Sequence, residues 1–159
     1  EFGKESSVEP LVFALSDKHI RIEAARALGA IKSDRAVGAL IGALKDEDRY
    51  FREEAIKALG EIKDRRAIKP LIDCLFDKEI SVQKSAANSL VKIGKPACES
   101  LLEVLESDNI DAKMTAIYAI REIEDEHALQ KLKELLENAD ENLKQIIELA
   151  IMKIEGKSK

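Results

Sequence analysis

Six columns of small and aliphatic residues recur in step five times along the chain, and this repetition restricts the fold more than any other feature. Leu15, Leu44, Leu75, Leu105 and Leu136 are separated by 29, 31, 30 and 31 residues. Leu11, Leu40, Leu71, Leu101 and Leu132 keep the same gaps, as do Ser7, Ala36, Ala67, Ala97 and Ala128. A second register runs Ala24, Ala55, Ala86, Ala116 and Ile147, and it is shared by Leu28, Leu59, Leu90, Ile120 and Ile151 and by Ile31, Ile62, Ile93, Ile123 and Ile154. Phe2 falls at the head of that last column. A period of this length is the mark of stacked supersecondary units. The 159 residues therefore read as one domain, 1–159, of five units at about 4–32, 33–63, 64–94, 95–124 and 125–155.

Each unit predicts two helices, about ten in all, and no strands. In the second unit Ala36, Val37, Leu40, Ile41 and Leu44 form one helical stripe, and Phe51, Ala55, Ala58, Leu59 and Ile62 form another. The expected spans are 34–45 and 50–62. Ala, Leu, Ile, Glu and Lys dominate, with seven Gly and three Pro, as suits helices rather than loops. The wealth of Glu and Lys over Gln and Asn leans towards a heat-tolerant source. Asp34, Asp64 and Asp125 are N-cap candidates, with Gly94-Lys95-Pro96 in that role in unit four. Asp17, Asp46, Asp77 and Asp108 punctuate the turn within each unit. Pro10 and Pro70 share a column and should bend the first helix of their units. Gly29 and Gly60 share another, where they either end the second helix or let a neighbour come close; Ile31 and Ile62 continue the pattern past them and favour close approach.

A helical pair this small cannot bury both apolar faces alone, and stacking on the next pair does so. A long coiled coil is excluded because turns break the pattern every ~15 residues and no heptad survives. No apolar run nears the ~18–20 residues of a membrane span and no signal peptide opens the chain, so the expected location is cytoplasmic.

The unit resembles a HEAT repeat of the short kind found in phycobilisome lyases. The residues that carry the likeness are 20–31, Ile-Arg-Ile-Glu-Ala-Ala-Arg-Ala-Leu-Gly-Ala-Ile, followed by Asp34-Arg35-Ala36-Val37 and Leu40-Ile41. They recur as Phe51-Arg52, Ala55, Ala58-Leu59-Gly60, Ile62, Asp64 and Arg66 to Ile72. The pattern thins later: the arginine column runs Arg21, Arg52, Gln83, Lys113, Lys144, and the glycine column Gly29, Gly60, Val91, Arg121, Met152. The resemblance implies an all-α, right-handed α-α superhelix of five two-helix units. First helices would form the outer layer and second helices an inner, concave one that holds another protein.

Columns of the second helix that vary between units mark the expected partner face. They are Ile22, Glu23 and Arg26; Glu53, Glu54 and Lys57; Lys84, Ser85 and Asn88; Met114, Thr115 and Tyr118; and Gln145, Ile146 and Leu149. The ladder passes from charged to polar to apolar, and exposed Met, Tyr, Ile and Leu on one face favour contact over solvation. Residues 96–141 hold thirteen acids against four bases, net −9, which leaves +4 for the rest of a chain of net charge −5. An acidic half can steer a basic partner. In helix 143–154, Ile146, Leu149 and Met152 add apolar surface beyond the core columns, which leaves two expectations open: self-association, or a longer array of which this chain is a part.

No catalytic constellation is evident. His19 and His127 stand in different units without the paired ligands of a helical metal site, and Cys74 and Cys98 fall in apolar columns as inert thiols. No phosphate loop is present, and neither cofactor nor metal is expected. The leading expectation is a non-catalytic scaffold for a protein partner. One alternative is a lyase-like or accessory protein holding a tetrapyrrole or similar ligand. The other is a weak nucleic-acid binder using Arg21, Arg26, Arg35, Arg49, Arg52, Arg65 and Arg66, against which the overall acidity argues.

Overall fold

The computed structural model describes residues 6–156, so Phe2 and the start of the first unit lie outside the described residues. Ten α-helices follow one another in chain order: α1 (Val8–Ala14), α2 (Arg21–Ile31), α3 (Val37–Ala43), α4 (Arg49–Ile62), α5 (Ile68–Asp73), α6 (Ile80–Ile93), α7 (Cys98–Val104), α8 (Ile110–Ile123), α9 (Leu129–Asn138) and α10 (Glu141–Glu155). Odd-numbered helices form the outer row and even-numbered helices the inner row. Each inner helix packs on its own outer helix and on the inner helix of the next unit, which makes the chain a superhelical solenoid.

The two repeating registers become one continuous core. Leu28, Leu59, Leu90 and Ile120 are fully buried between inner helices, as are Leu40, Leu71, Leu101 and Leu132 in the outer row. Burying a side chain of this size is worth about 1.5–3 kcal/mol. Small residues set how near the rows come. A Cβ on Gly29 would stand 2.8 Å from the Ala58 Cα, and one on Gly60 would stand 2.9 Å from the Ser89 Cα and 2.6 Å from its Oγ. Close approach is thus the work of the glycine column.

Those glycines do not end their helices. Termination falls to Lys32, Lys63 and Glu124, all in the left-handed region with φ of 61°, 61° and 55°, and to Gly94 with φ 84° and ψ −147°. Gly94 is both the last residue of one cap and the first of the next, because the junction between units three and four is one residue shorter than its neighbours. Only glycine occupies that backbone region readily.

Outer helices open differently from the expectation. Each of α3, α5, α7 and α9 is preceded by a 3-10 turn, at Asp34–Ala36, Arg65–Ala67, Lys95–Ala97 and Glu126–Ala128. Asp64 and Asp125 cap theirs by accepting from the Arg66 and His127 N–H groups at 2.8 and 3.3 Å. Asp34 does not cap; it lies inside its turn, and Ser33 holds the capping place. Pro10 and Pro70 stand third in α1 and α5, within the first turn, where a missing N–H costs little. The turns inside the units are Asx turns: the carboxylates of Asp17, Asp46 and Asp77 accept from the N–H groups of His19, Asp48 and Glu79, each at 2.9 Å. Asp108 is out of this register. The residue two after the leucine column is Ser107, not Asp108, in unit four.

Among the described residues no helix is long and apolar enough to cross a membrane.

Candidate partner-binding face

Helical spacing sets the face. Residues four apart on α2, α4, α6, α8 and α10 share one side, and stacking lays those sides next to one another. All fifteen expected residues lie on these helices and none is buried. Ile22 and Ile146 are half-buried and pack against the core, so they contribute an edge rather than a free surface.

The charged part of the ladder is largely satisfied internally. The Arg26 Nε donates to Glu54 at 3.2 Å, and the Lys57 Nζ donates to the same carboxylate at 2.7 Å. Burial pushes the Glu54 carboxyl up, but Lys57 and Arg26 together outweigh it and hold it below the usual range. Glu53 accepts from the Ser81 hydroxyl at 2.6 Å. Further along the same helices Lys92 bonds Glu61 at 2.5 Å and Lys153 bonds Glu122 at 2.7 Å. Glu23 and Lys84 make no ion pair among the described residues.

From α6 onward the face changes character. Lys84, Ala87, Asn88, Met114, Thr115 and Tyr118 line a depression of about 330 Å³ between α6 and α8. The Tyr118 hydroxyl donates to the Asn88 Oδ1 at 3.2 Å across it, and the Thr115 hydroxyl turns back to the Asp111 carbonyl at 2.7 Å. A second depression of about 370 Å³, between α8 and α10, is lined by Ile110, Met114, Asp140, Asn142, Leu143, Gln145 and Ile146. Met114 belongs to both. Glu23, Ser85 and Leu149 line neither.

Two residues of this surface were not among the expected ones. Ile80 is 62% exposed and Ile110 49% exposed, one turn before Lys84 and Met114. Their column reads Lys18, Arg49, Ile80, Ile110, Glu141. Its switch from cation to isoleucine in units three and four is the signal that could have found them.

Arginines of the first half are mostly engaged elsewhere. Arg21 bonds Asp46 and Asp48 at 2.8 and 3.1 Å and stacks on the Phe51 ring. Arg52 makes a two-pronged bond to Asp77 at 3.0 and 3.1 Å and also donates to the Asp46 and Glu47 carbonyls. Arg35 pairs with Glu9, Arg49 lies 3.7 Å from Glu79, and Arg66 bonds Asp64 at 2.7 Å. Of the seven arginines that could serve nucleic acid, Arg65 alone has no ion pair among the described residues. Both cysteines are buried, and burial pushes the Cys74 and Cys98 thiols up to about 12 and about 11, far from thiolate reactivity.

The family model for HEAT repeats matches residues 8–90, 38–112 and 69–152. The complex of CpcE and CpcF of phycocyanin lyase from Nostoc sp. PCC7120 is similar in structure, with TM-score 0.66 and 26% identity, over 94% of this chain and 65% of that one. A designed armadillo repeat protein in complex with the peptide (KR)4 is similar with TM-score 0.60 and 21% identity, over 94% and 82% of the two chains. An engineered protein is similar with TM-score 0.55 and 25% identity, over 95% and 80%. No curated protein matches the chain in sequence.

Proposed function

This chain belongs to the HEAT-repeat family, and on that premise we propose that it is a non-catalytic scaffold holding a protein partner along its inner helices. The observation that carries this reading is the side-by-side display of variable, unburied residues on α2, α4, α6, α8 and α10, among them the exposed Met114, Tyr118 and Leu149. Exposed aromatic and methionine side chains beside a groove are what binding energy concentrates on at protein interfaces. The solved relatives lend support: one is a complex of two proteins and another holds a peptide. Affinity capture from the source organism tests it. Met114→Ala and Tyr118→Ala should each deplete the captured partner while lowering the thermal midpoint by only a few degrees, since both side chains lie outside the buried core and are more than a third exposed. A captured set indifferent to both changes removes the reading.

A second reading has one observation in its favour, the phycocyanin lyase among the similar structures. An accessory role towards a tetrapyrrole would give a visible absorption band on adding bilin to the purified protein. Nucleic-acid binding is left with little, because the arginines that would serve it are tied to carboxylates. Retention on a polyanion column that falls steeply with salt would revive it.

A further inference from the structure

We propose that the occupant of the inner face is an amphipathic α-helix of the partner, laid across α6, α8 and α10, with a carboxylate at its α6 end for Lys84. This deepens the scaffold reading and rests on it.

The apolar strip is local. Ile80, Ile110, Met114, Tyr118 and Leu149 are all exposed and all belong to the last three inner helices. In α2 and α4 the same columns hold Ile22, which is half-buried against the core, and Arg26, Arg49, Glu53 and Lys57, whose polar ends meet partners within the chain. The docking surface is therefore the second half of the face, not its full length.

Geometry selects the form of the ligand. The two depressions share Met114 and follow one another across three packed helices. Neighbouring helix axes stand about 8–10 Å apart. A compact small molecule fills one depression and leaves the other. An extended chain presents a residue to the same side every ~6.6 Å, from its rise of about 3.3 Å per residue, and falls out of step with the spacing. An α-helix rises about 1.5 Å per residue, so positions i and i+7 are about 10.5 Å apart and stay on one face. Apolar anchors at i, i+3 or i+4, and i+7 thus meet both depressions at once.

Charge fixes the orientation. Lys84 borders the first depression, is exposed and makes no ion pair among the described residues, so its ammonium is available to a ligand. An ammonium beside apolar surface favours an acidic residue on the helix at that end, and disfavours a basic one.

Selection from a phage-displayed library of amphipathic helices of about 21 residues, three heptads, tests this without knowledge of the natural partner. The expected outcome is enrichment of apolar residues at heptad spacing with Glu or Asp at one end. Synthetic peptides of that consensus should bind at least about tenfold more weakly to Met114→Glu and to Lys84→Glu. Selection against Lys84→Glu should exchange the acidic end for Lys or Arg. Peptides lost on Tyr118→Ala but lacking heptad spacing or the acidic end overturn the helix while leaving the inner face in place. Peptides that bind Met114→Glu as well as the unaltered chain overturn both. A stable dimer in sedimentation that dissociates on Met114→Glu overturns the proposal in favour of a second copy. So does the absence of enrichment over scrambled helices.

Discussion

Arg21 and Arg52 reach out of their own units into the turn of the next, whereas Gln83 and Lys113, in the same column, do not. The partners change together with the donors. Arg21 meets Asp46 and Arg52 meets Asp77, but the residue waiting for Gln83 is Ser107 and the one waiting for Lys113 is Asn138. Gln83 turns back to the carbonyl of Asp77 at 2.7 Å, and the Ser107 hydroxyl is buried with no hydrogen-bond partner among the described residues. The glycine column gives way at the same place, to Val91. The first three units are thus clamped by charge and pressed close, while the last junctions rely on aliphatic packing and surface lysines. The two depressions flanking Met114 lie at the junctions where both the arginine clamps and the column glycines are missing.

Breaking a clamp gives the largest effect. The Arg52 side chain is 6% exposed and Asp77 16% exposed, and removing one partner leaves the other charge half-buried and uncompensated. Arg52→Met should cost about 3 kcal/mol, read as faster hydrogen exchange in α4 and α6. Lys113→Met, in the same column, should cost no more than about 0.5 kcal/mol. Equal losses would remove the distinction between the two halves.

Close approach ranks next. Gly60→Ala pushes a methyl against the Ser89 backbone and should cost about 1–3 kcal/mol, the range for overpacking. Gly42→Ala, also helical but with nothing within 4 Å, should instead stabilise by about 0.5–1 kcal/mol. Urea unfolding of the two variants checks the opposite signs.

The missing clamp can be rebuilt. Gln83→Arg or Ser107→Asp alone introduces a half-buried charge and should destabilise. The double variant should recover the loss, with a coupling of about 1–2 kcal/mol in a double-mutant cycle. A coupling near zero would mean that the third junction lacks the geometry of the first two, and that the residue types follow from the geometry rather than cause it.

These contrasts also show which parts of the molecule were readable in the primary structure. The stack of five helical pairs was legible because six columns repeat and each has one physical role. The thinning of the arginine and glycine columns was legible too. The exchange of Asp for Ser107 was not, because Asp108 beside it looks equivalent until the one-residue contraction at Gly94 is counted. Asp34 misled in the same way: residue type pointed to it, while register pointed to Ser33. Ile80 and Ile110 escaped because they stand at the mouth of a turn, where variation in a column resembles loop chemistry. The pairing of Arg26 with Glu54 was invisible because it joins side chains of different units, and spacing within one helix says nothing of its neighbour.

Acid separates the two halves by the smallest margin and completes the contrast. Burial pushes the Asp48 carboxyl up, but the Tyr50 N–H, Arg21 and the Phe51 N–H outweigh it and hold it below the usual range. Glu54 is lowered in the same way. In the second half Lys131 lowers Glu106, and Lys153, against a smaller opposing effect of burial, lowers Glu122. A depressed carboxylate contributes stability above its unfolded value of about 4 and loses it as pH falls through the folded one. Both halves should therefore be insensitive between pH 7 and about 5 and weaken below about 4. Salt distinguishes them. Glu106 is 66% exposed and its partner 38%, so at about 1 M salt, where screening acts within ~3 Å, this pair should already contribute little. Glu54 is 15% exposed and keeps its partners. Residue-resolved hydrogen exchange at about 1 M salt should then show the acid-induced loss persisting in α2 and α4 and shrinking in α7 and α9, which Glu106 and Lys131 join. The same salt dependence in all four helices would place the clamps at the surface and erase the contrast between the halves.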